Sequence, residues 1–310
     1  CLAGSPGNAG DLFGASVSID DEFAVVGRPG DETVFSPGKA HLYKLTTLNN
    51  GGTQWQYVGE LNTTGLLSGD QFGFSVAIDG NWIVVGAPQA DVGMPNIGDA
   101  GRVRIYQKIG NDFNLNLFQQ LIAPTFQASD HFGWSVDVDS AAGVIVVGEP
   151  NAGPSIGKGE AHIYRFNGVN WVLEQTLAPT DNSNADLFGG FMHGRGVSVS
   201  GNTIVVGAAG DDIAAQEAGA AYVYEYNGVS WTCLEKFVPQ NPVAGQQFGY
   251  SVDNVGTTLL VGDSDGLARV FENIAPDACN EPTDQLTPDF IFSGACGVGS
   301  NFEFNNNLDV

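Results

Sequence analysis

The chain has 310 residues, 43% of them hydrophobic, with 43 glycines and a formal net charge of −24 from 11 Lys and Arg against 35 Asp and Glu. That charge repels phosphate backbones and argues against a nucleic-acid partner. No apolar run approaches the roughly 20 residues that a membrane-spanning helix needs, and no signal peptide is visible in a chain that does not begin with Met, so it reads as a mature, processed or trimmed form.

The first segment, "DLFGASVSIDDEFAVVGRP" from Asp11, returns as "DQFGFSVAIDGNWIVVGAP" from Asp70 and "DHFGWSVDVDSAAGVIVVGEP" from Asp130. It recurs as "DLFGGFMHGRGVSVSGNTIVVGAA" from Asp186 and "QQFGYSVDNVGTTLLVGDS" from Gln246. The pairs Phe13-Gly14, Phe72-Gly73, Phe132-Gly133, Phe188-Gly189 and Phe248-Gly249 stand 59, 60, 56 and 60 residues apart. A fixed period of this size marks a repeat architecture.

Within one unit, "FSVAI" alternates and predicts a strand, and "DGN" predicts a tight hairpin. "WIVVGAP" is an apolar run suited to a strand buried on both faces. "RVRIYQK" predicts a third strand with a wetter face, and "LNLFQQLIAP" a fourth. The other units follow suit, with third strands such as "KAHLYKL" and "EAHIYRF" and fourth strands such as "WQYVGEL" and "WVLEQTL". A four-stranded meander cannot bury both faces alone. Radial stacking solves this, which predicts an all-β propeller with each Phe packed between blades and each Gly allowing close backbone approach.

These units resemble FG-GAP repeats, the blades of the propeller in integrin α subunits and many secreted microbial proteins. The resemblance covers about residues 11–273, and Phe72-Gly73 with Gly86-Ala87-Pro88 carries both name-giving elements. Five copies predict five blades, where integrin propellers have seven. Blade five ends at "ARVFEN" and lacks a fourth strand, which the tail, residues 274–310, is expected to supply through "DFIFSG" or "NFEFNN". A degenerate sixth blade made from that tail is the alternative.

Cys1, Cys233, Cys279 and Cys296 show no zinc spacing, and an even count in an acidic, loop-rich chain fits an oxidising compartment. Cys279 and Cys296, close together in the tail, are the preferred pair, leaving Cys1 with Cys233, although four cysteines allow three connectivities. The only glycosylation sequon begins at Asn62. Many FG-GAP blades hold Ca²⁺ in an Asp-rich loop between strands one and two. Here those links are mostly two- to four-residue hairpins, so the family's ligands do not carry over. Asp137 and Asp139 come nearest, and Asp263 and Asp265 of "DSDG" form the remaining calcium candidate in a different loop. No cofactor is required by anything in the sequence.

Antiparallel order puts the crossovers and the loops between strands two and three on one face. Asp11, Asp70, Asp130 and Asp186 fall in the crossovers; Asp31, Glu32, Asp91, Asp99, Asp211, Asp212, Asp263 and Asp265 fall in the loops. In integrins this is the ligand-binding side. The local alternative for each crossover Asp is capping of backbone N–H groups. Blade four inserts "GFMHGRG", which brings His193 and Arg195 to this face as a cationic pair for a ligand carboxylate or a neighbouring subunit, or as a plain bulge salt-bridged to nearby Asp. His41 and His162 recur at matching places and read as packing; His131 merely precedes Phe132. There is no GxSxG, HExxH or phosphate-binding glycine loop. Trp55, Trp171 and Trp231 could stack on sugars but recur at the start of strand four, which favours framework packing. The expectation is a secreted or cell-surface module that binds a surface protein or glycan, or copies of itself, and does no chemistry. A carbohydrate-binding or carbohydrate-active protein is the alternative.

Overall fold

A computed structural model describes residues 10–30, 36–49, 51–93, 96–153, 157–179, 185–190, 195–212 and 214–272, and the backbone of 290–293. No helix occurs among the described residues, so none is long and apolar enough to cross a membrane.

Blade one is β1 (Val17–Asp20), β2 (Phe23–Arg28), β3 (Lys39–Thr47) and β4 (Thr53–Glu60). Blade two is β5 (Ser75–Asp79), β6 (Trp82–Ala87), β7 (Arg102–Ile109), β8 (Asp112–Phe113) and β9 (Gln119–Leu121). Blade three is β10 (Ser135–Asp139), β11 (Val144–Glu149), β12 (Glu160–Phe166) and β13 (Trp171–Leu177). Blade four is β14 (Val197–Ser200), β15 (Thr203–Ala208), β16 (Ala220–Tyr226) and β17 (Trp231–Phe237). Blade five is β18 (Ser251–Val255), β19 (Thr258–Gly262), β20 (Leu267–Phe271) and β21 (Phe290–Ser293).

Each blade is an antiparallel meander in chain order, and the five together form a β-propeller. Blade two departs only at its outer edge, where the fourth strand expected over residues 115–124 is shortened to β9 and the two-residue β8 before it also pairs with β7. The fourth strand of blade five is β21, which lies within the tail and pairs with β20.

The second strand is buried along its whole length in blades one to four, as its near-continuous apolar run requires. In blade five the same strand alternates between buried and exposed. First strands lie side by side in the order β1, β5, β10, β14, β18, and so line the hub.

The Phe-Gly pair seals each boundary between consecutive blades. Phe72, Phe132, Phe188 and Phe248 are fully buried, each in a cluster shared by two adjacent blades. The two recurring glycines meet across the boundary. A Cβ on Gly27 would stand 2.0 Å from the Gly73 carbonyl oxygen of the next blade, and one on Gly86 would stand 2.0 Å from that of Gly133. Neither position can hold a side chain without forcing the blades apart. The hydroxyls of Ser16, Ser75 and Ser135 donate to the carbonyls of Gly73, Gly133 and Gly189.

None of these contacts recurs between blades five and one among the described residues. A Cβ on Gly14 would meet nothing within 4 Å, and one on Gly262 would meet only its own blade. Phe13 is 38% exposed, Val17 66% and Ile19 65%, whereas Val76 and Ile78, their counterparts in blade two, are 4% and 6% exposed.

Candidate functional site

Two places combine polar side chains with a shaped surface: the hub, and the ends of the blades where the crossovers run. At the hub, the last residue of a first strand clasps the hairpin of the next blade. Asp20 accepts the Gly80 N–H at 2.7 Å, Asp79 accepts that of Ser140, Asp139 accepts that of Gly201 at 2.7 Å, and Ser200 accepts that of Gly256 at 3.0 Å. The second oxygen of Asp139 caps Ala142 within its own hairpin. Asp139 is therefore a structural turn residue, and Asp137 beside it faces blade four.

Asp137 accepts the Val199 N–H at 2.8 Å and stands 3.3 Å from the guanidinium of Arg195. Burial pushes its pKa up to about 6, against the opposing pull of Arg195. Arg195 also reaches Asp253 at 3.5 Å and lines a hub cavity of about 250 Å³ with Ser16, Phe74, Ser75, Trp134 and Ser135. Its charge is thus shared between two carboxylates rather than offered freely to a ligand. His193 lies outside the described residues, so the expected His193–Arg195 pairing has no geometry to report.

At the crossovers the acidic residues have turned inward. Asp11, Asp70, Asp130 and Asp186 are all buried. Asp70 accepts the Leu67 N–H at 2.8 Å, and Asp130 accepts that of Gln127, so backbone capping describes both. Asp11 is ion-paired with Arg28. Asp211 is fully buried, 2.6 Å from Lys236 and 3.2 Å from the Tyr222 hydroxyl. Asp263 accepts from Gln246 at 3.0 Å, Arg269 at 2.7 Å and the Leu267 N–H at 2.9 Å. Such a saturated carboxylate is not presented to a calcium ion, and Asp265 is exposed beside it.

Asp212 is exposed and caps Glu217, and half-buried Asp91 accepts the Asp99 N–H. Asp31 and Glu32 lie outside the described residues. Among the described residues the predicted acids are therefore not gathered into one ligand site: Asp70, Asp91, Asp130 and Asp212 cap backbone N–H groups, and Asp11, Asp211 and Asp263 are ion-paired.

Blade three carries a different set. His162 and Glu149 are both fully buried, with Nε2 2.6 Å from a Glu149 carboxyl oxygen and 3.7 Å from Glu160. Nδ1 lies 3.0 Å from the Thr176 hydroxyl. Burial, reinforced by Asp130 and Glu160, pushes Glu149 up to about 9; burial also pushes His162 down to about 4. Both directions favour the uncharged forms of the buried pair. His41, at the matching place in blade one, is buried against Phe13 and Tyr57.

Sequence reasoning missed a further pair of contacts at the outer strands. The Gln119 side chain both accepts from the Trp171 N–H and donates to its carbonyl, and Gln175 does the same with Trp231. Trp171 and Trp231 are buried and Trp55 is half-buried, which makes the first two framework residues rather than a sugar platform. Cys233, half-buried on β17, is not a free thiol, while Cys1, Cys279 and Cys296 lie outside the described residues.

Blades, hub and paired glycines define the class: a β-propeller built from short repeats. The FG-GAP repeat family model matches residues 2–43, 55–106, 116–164 and 171–224, more than half of the chain, and the chain belongs to that family. The match stops before blade five, which the structure nevertheless builds on Phe248-Gly249. No curated protein sequence matches the chain.

Proposed function

We propose that this protein is a non-catalytic assembly module that docks to a second copy of itself through the open face of blade one. The observation that carries the reading is the exposure of Phe13, Val17 and Ile19, whose counterparts in later blades are buried. Those three side chains leave about 4 kcal/mol of burial unrealised. Val255 and Leu260 on the outgoing face of blade five are exposed as well, at 80% and 40%. Every sealed boundary joins an outgoing face to an incoming one, so the two faces left unsealed among the described residues are complementary by the same repeat rule. Joined between copies, they make a head-to-tail contact that gives closed rings or open chains of subunits.

The absence of catalytic motifs and the use of the crossover acids as internal caps and ion pairs support a role without chemistry. Burial of Trp171 and Trp231 disfavours the carbohydrate reading. An even cysteine count and family membership support a location outside the cytosol, with the cysteines paired as disulfides; peptide mapping without reduction tests that.

Light scattering across a range of concentrations tests the assembly. The expected result is concentration-dependent association that Val17→Asp abolishes without lowering the melting temperature. A monomer at every concentration overturns the reading. If Val17→Asp then also lowers the melting temperature, the chain's own blade five or tail covers the face.

A further inference from the structure

We propose that blade three holds a divalent transition-metal ion of the Zn²⁺ type between Glu149, Glu160 and His162. The case starts from a comparison of the five crossovers. In blade one Arg28 takes the place that Glu149 has in blade three, and it is ion-paired with Asp11. In blade two Arg104 takes the place of His162, and with Arg102 it provides the positive charge near Asp70. In blade four Lys236 neutralises Asp211. In blade five Arg269, again at the place of His162, neutralises Asp263.

Each of these four blades supplies its own cation to its buried acids. Blade three brings Asp130, Glu149 and Glu160 around one histidine, and among the described residues no Lys or Arg is ion-paired with any of the three. Carboxylates gathered in a low-dielectric interior need a counter-charge or a proton.

The geometry suits a metal. One ligand atom from each of Glu149, Glu160 and His162 lies within 4.8 Å of the other two. Donors about 2.1 Å from a shared tetrahedral ion stand roughly 3.4 Å apart, so modest side-chain movement completes the site. One Glu149 oxygen, Oε1, is fully buried beside Nε2 of His162 and has no hydrogen-bond partner, which leaves a lone pair for an ion. The Thr176 hydroxyl at Nδ1 fixes the ring with Nε2 toward the carboxylates, as an outer partner does for a ligating histidine. An imidazole with two carboxylates selects a first-row ion over Ca²⁺, which takes six to eight oxygens. Glu160 is 23% exposed on its side chain and gives the ion a way in.

The test uses the full chain, freed of metal by chelator and titrated with Zn²⁺. Calorimetry is expected to show one saturable site that persists in excess Ca²⁺. Long-range ¹H–¹⁵N spectra of the four histidines are expected to show Nε2 of His162 shifting in step. His162→Gln should lose the site, Thr176→Val should weaken it about tenfold, and Asp265→Asn, at an exposed acid, should leave it unchanged. No saturable binding, a shift centred on another histidine, or equal affinity in His162→Gln overturns the proposal. The spectra decide on the unmodified protein if the buried variants fail to fold.

Discussion

Blade one and blades two to five are written in the same motif yet live in different surroundings. Phe13 and Phe132 open near-identical segments, but the first is 38% exposed and the second fully buried between two blades. Gly14 and Gly73 share a positive φ of about +90°, yet an added Cβ is free at Gly14 and 2.1 Å from the Lys39 carbonyl at Gly73. The motif is therefore a device for joining a blade to the one before it. At the start of blade one, where the described residues show no such seal, it is spelled out but does no joining.

The largest expected effect separates those two phenylalanines. Phe132→Ala should cost about 3–5 kcal/mol in chemical denaturation, as for a large buried side chain. Phe13→Ala in the dissociated protein should cost about 1–2 kcal/mol, in proportion to its partial burial. Equal losses would break the comparison, because they would mean that the first boundary is sealed in solution.

A second measurement sharpens the contrast at the hub, where Ser18 and Asp137 hold equivalent places facing the next blade. Ser18 accepts the Ile78 N–H as a neutral group; Asp137 accepts the Val199 N–H as a titrating one. With its folded pKa raised to about 6 from 3.8, Asp137 holds its proton longer in the folded state than in the unfolded state. Its contribution to stability therefore falls as pH rises from about 4 to about 6, by about 3 kcal/mol in all. Asp137→Asn should remove that part of the slope in urea midpoints followed across the window, and an unchanged slope would show that the carboxyl titrates normally.

The smallest effect concerns the outgoing side, where blade one should behave like its successors. Asp20→Ala and Asp79→Ala each remove one clasp onto the next hairpin and should each cost about 1 kcal/mol. A much smaller loss at Asp20 would extend the looseness of blade one to its outgoing face.

Much of this was legible in advance. Alternation, hairpin residues and the repeat period predicted strands, blades and the burial of Phe72, Phe132, Phe188 and Phe248, because those patterns act through neighbours close in sequence. The residue before the recurring proline was less transparent. Arg28 and Glu149 look like decay of a Gly-Ala-Pro motif, but one closes an ion pair with Asp11 and the other faces His162. Their partners lie 17 and 13 residues away on other segments, and no local pattern names them. The acids of the crossovers were equally ambiguous, since a short carboxylate in a turn can face water or cap its own backbone.

The amino-acid sequence by itself determined that the chain repeats, that each repeat is a four-stranded meander, and that a Phe-Gly pair opens each one. Only the tertiary structure decided which of those pairs is buried, which acids are neutralised, and in which blade the buried acids have, among the described residues, no Lys or Arg ion-paired with them. Strand alternation is a property of one segment. Burial and charge balance belong to two surfaces brought together, and they are settled only when the second surface arrives.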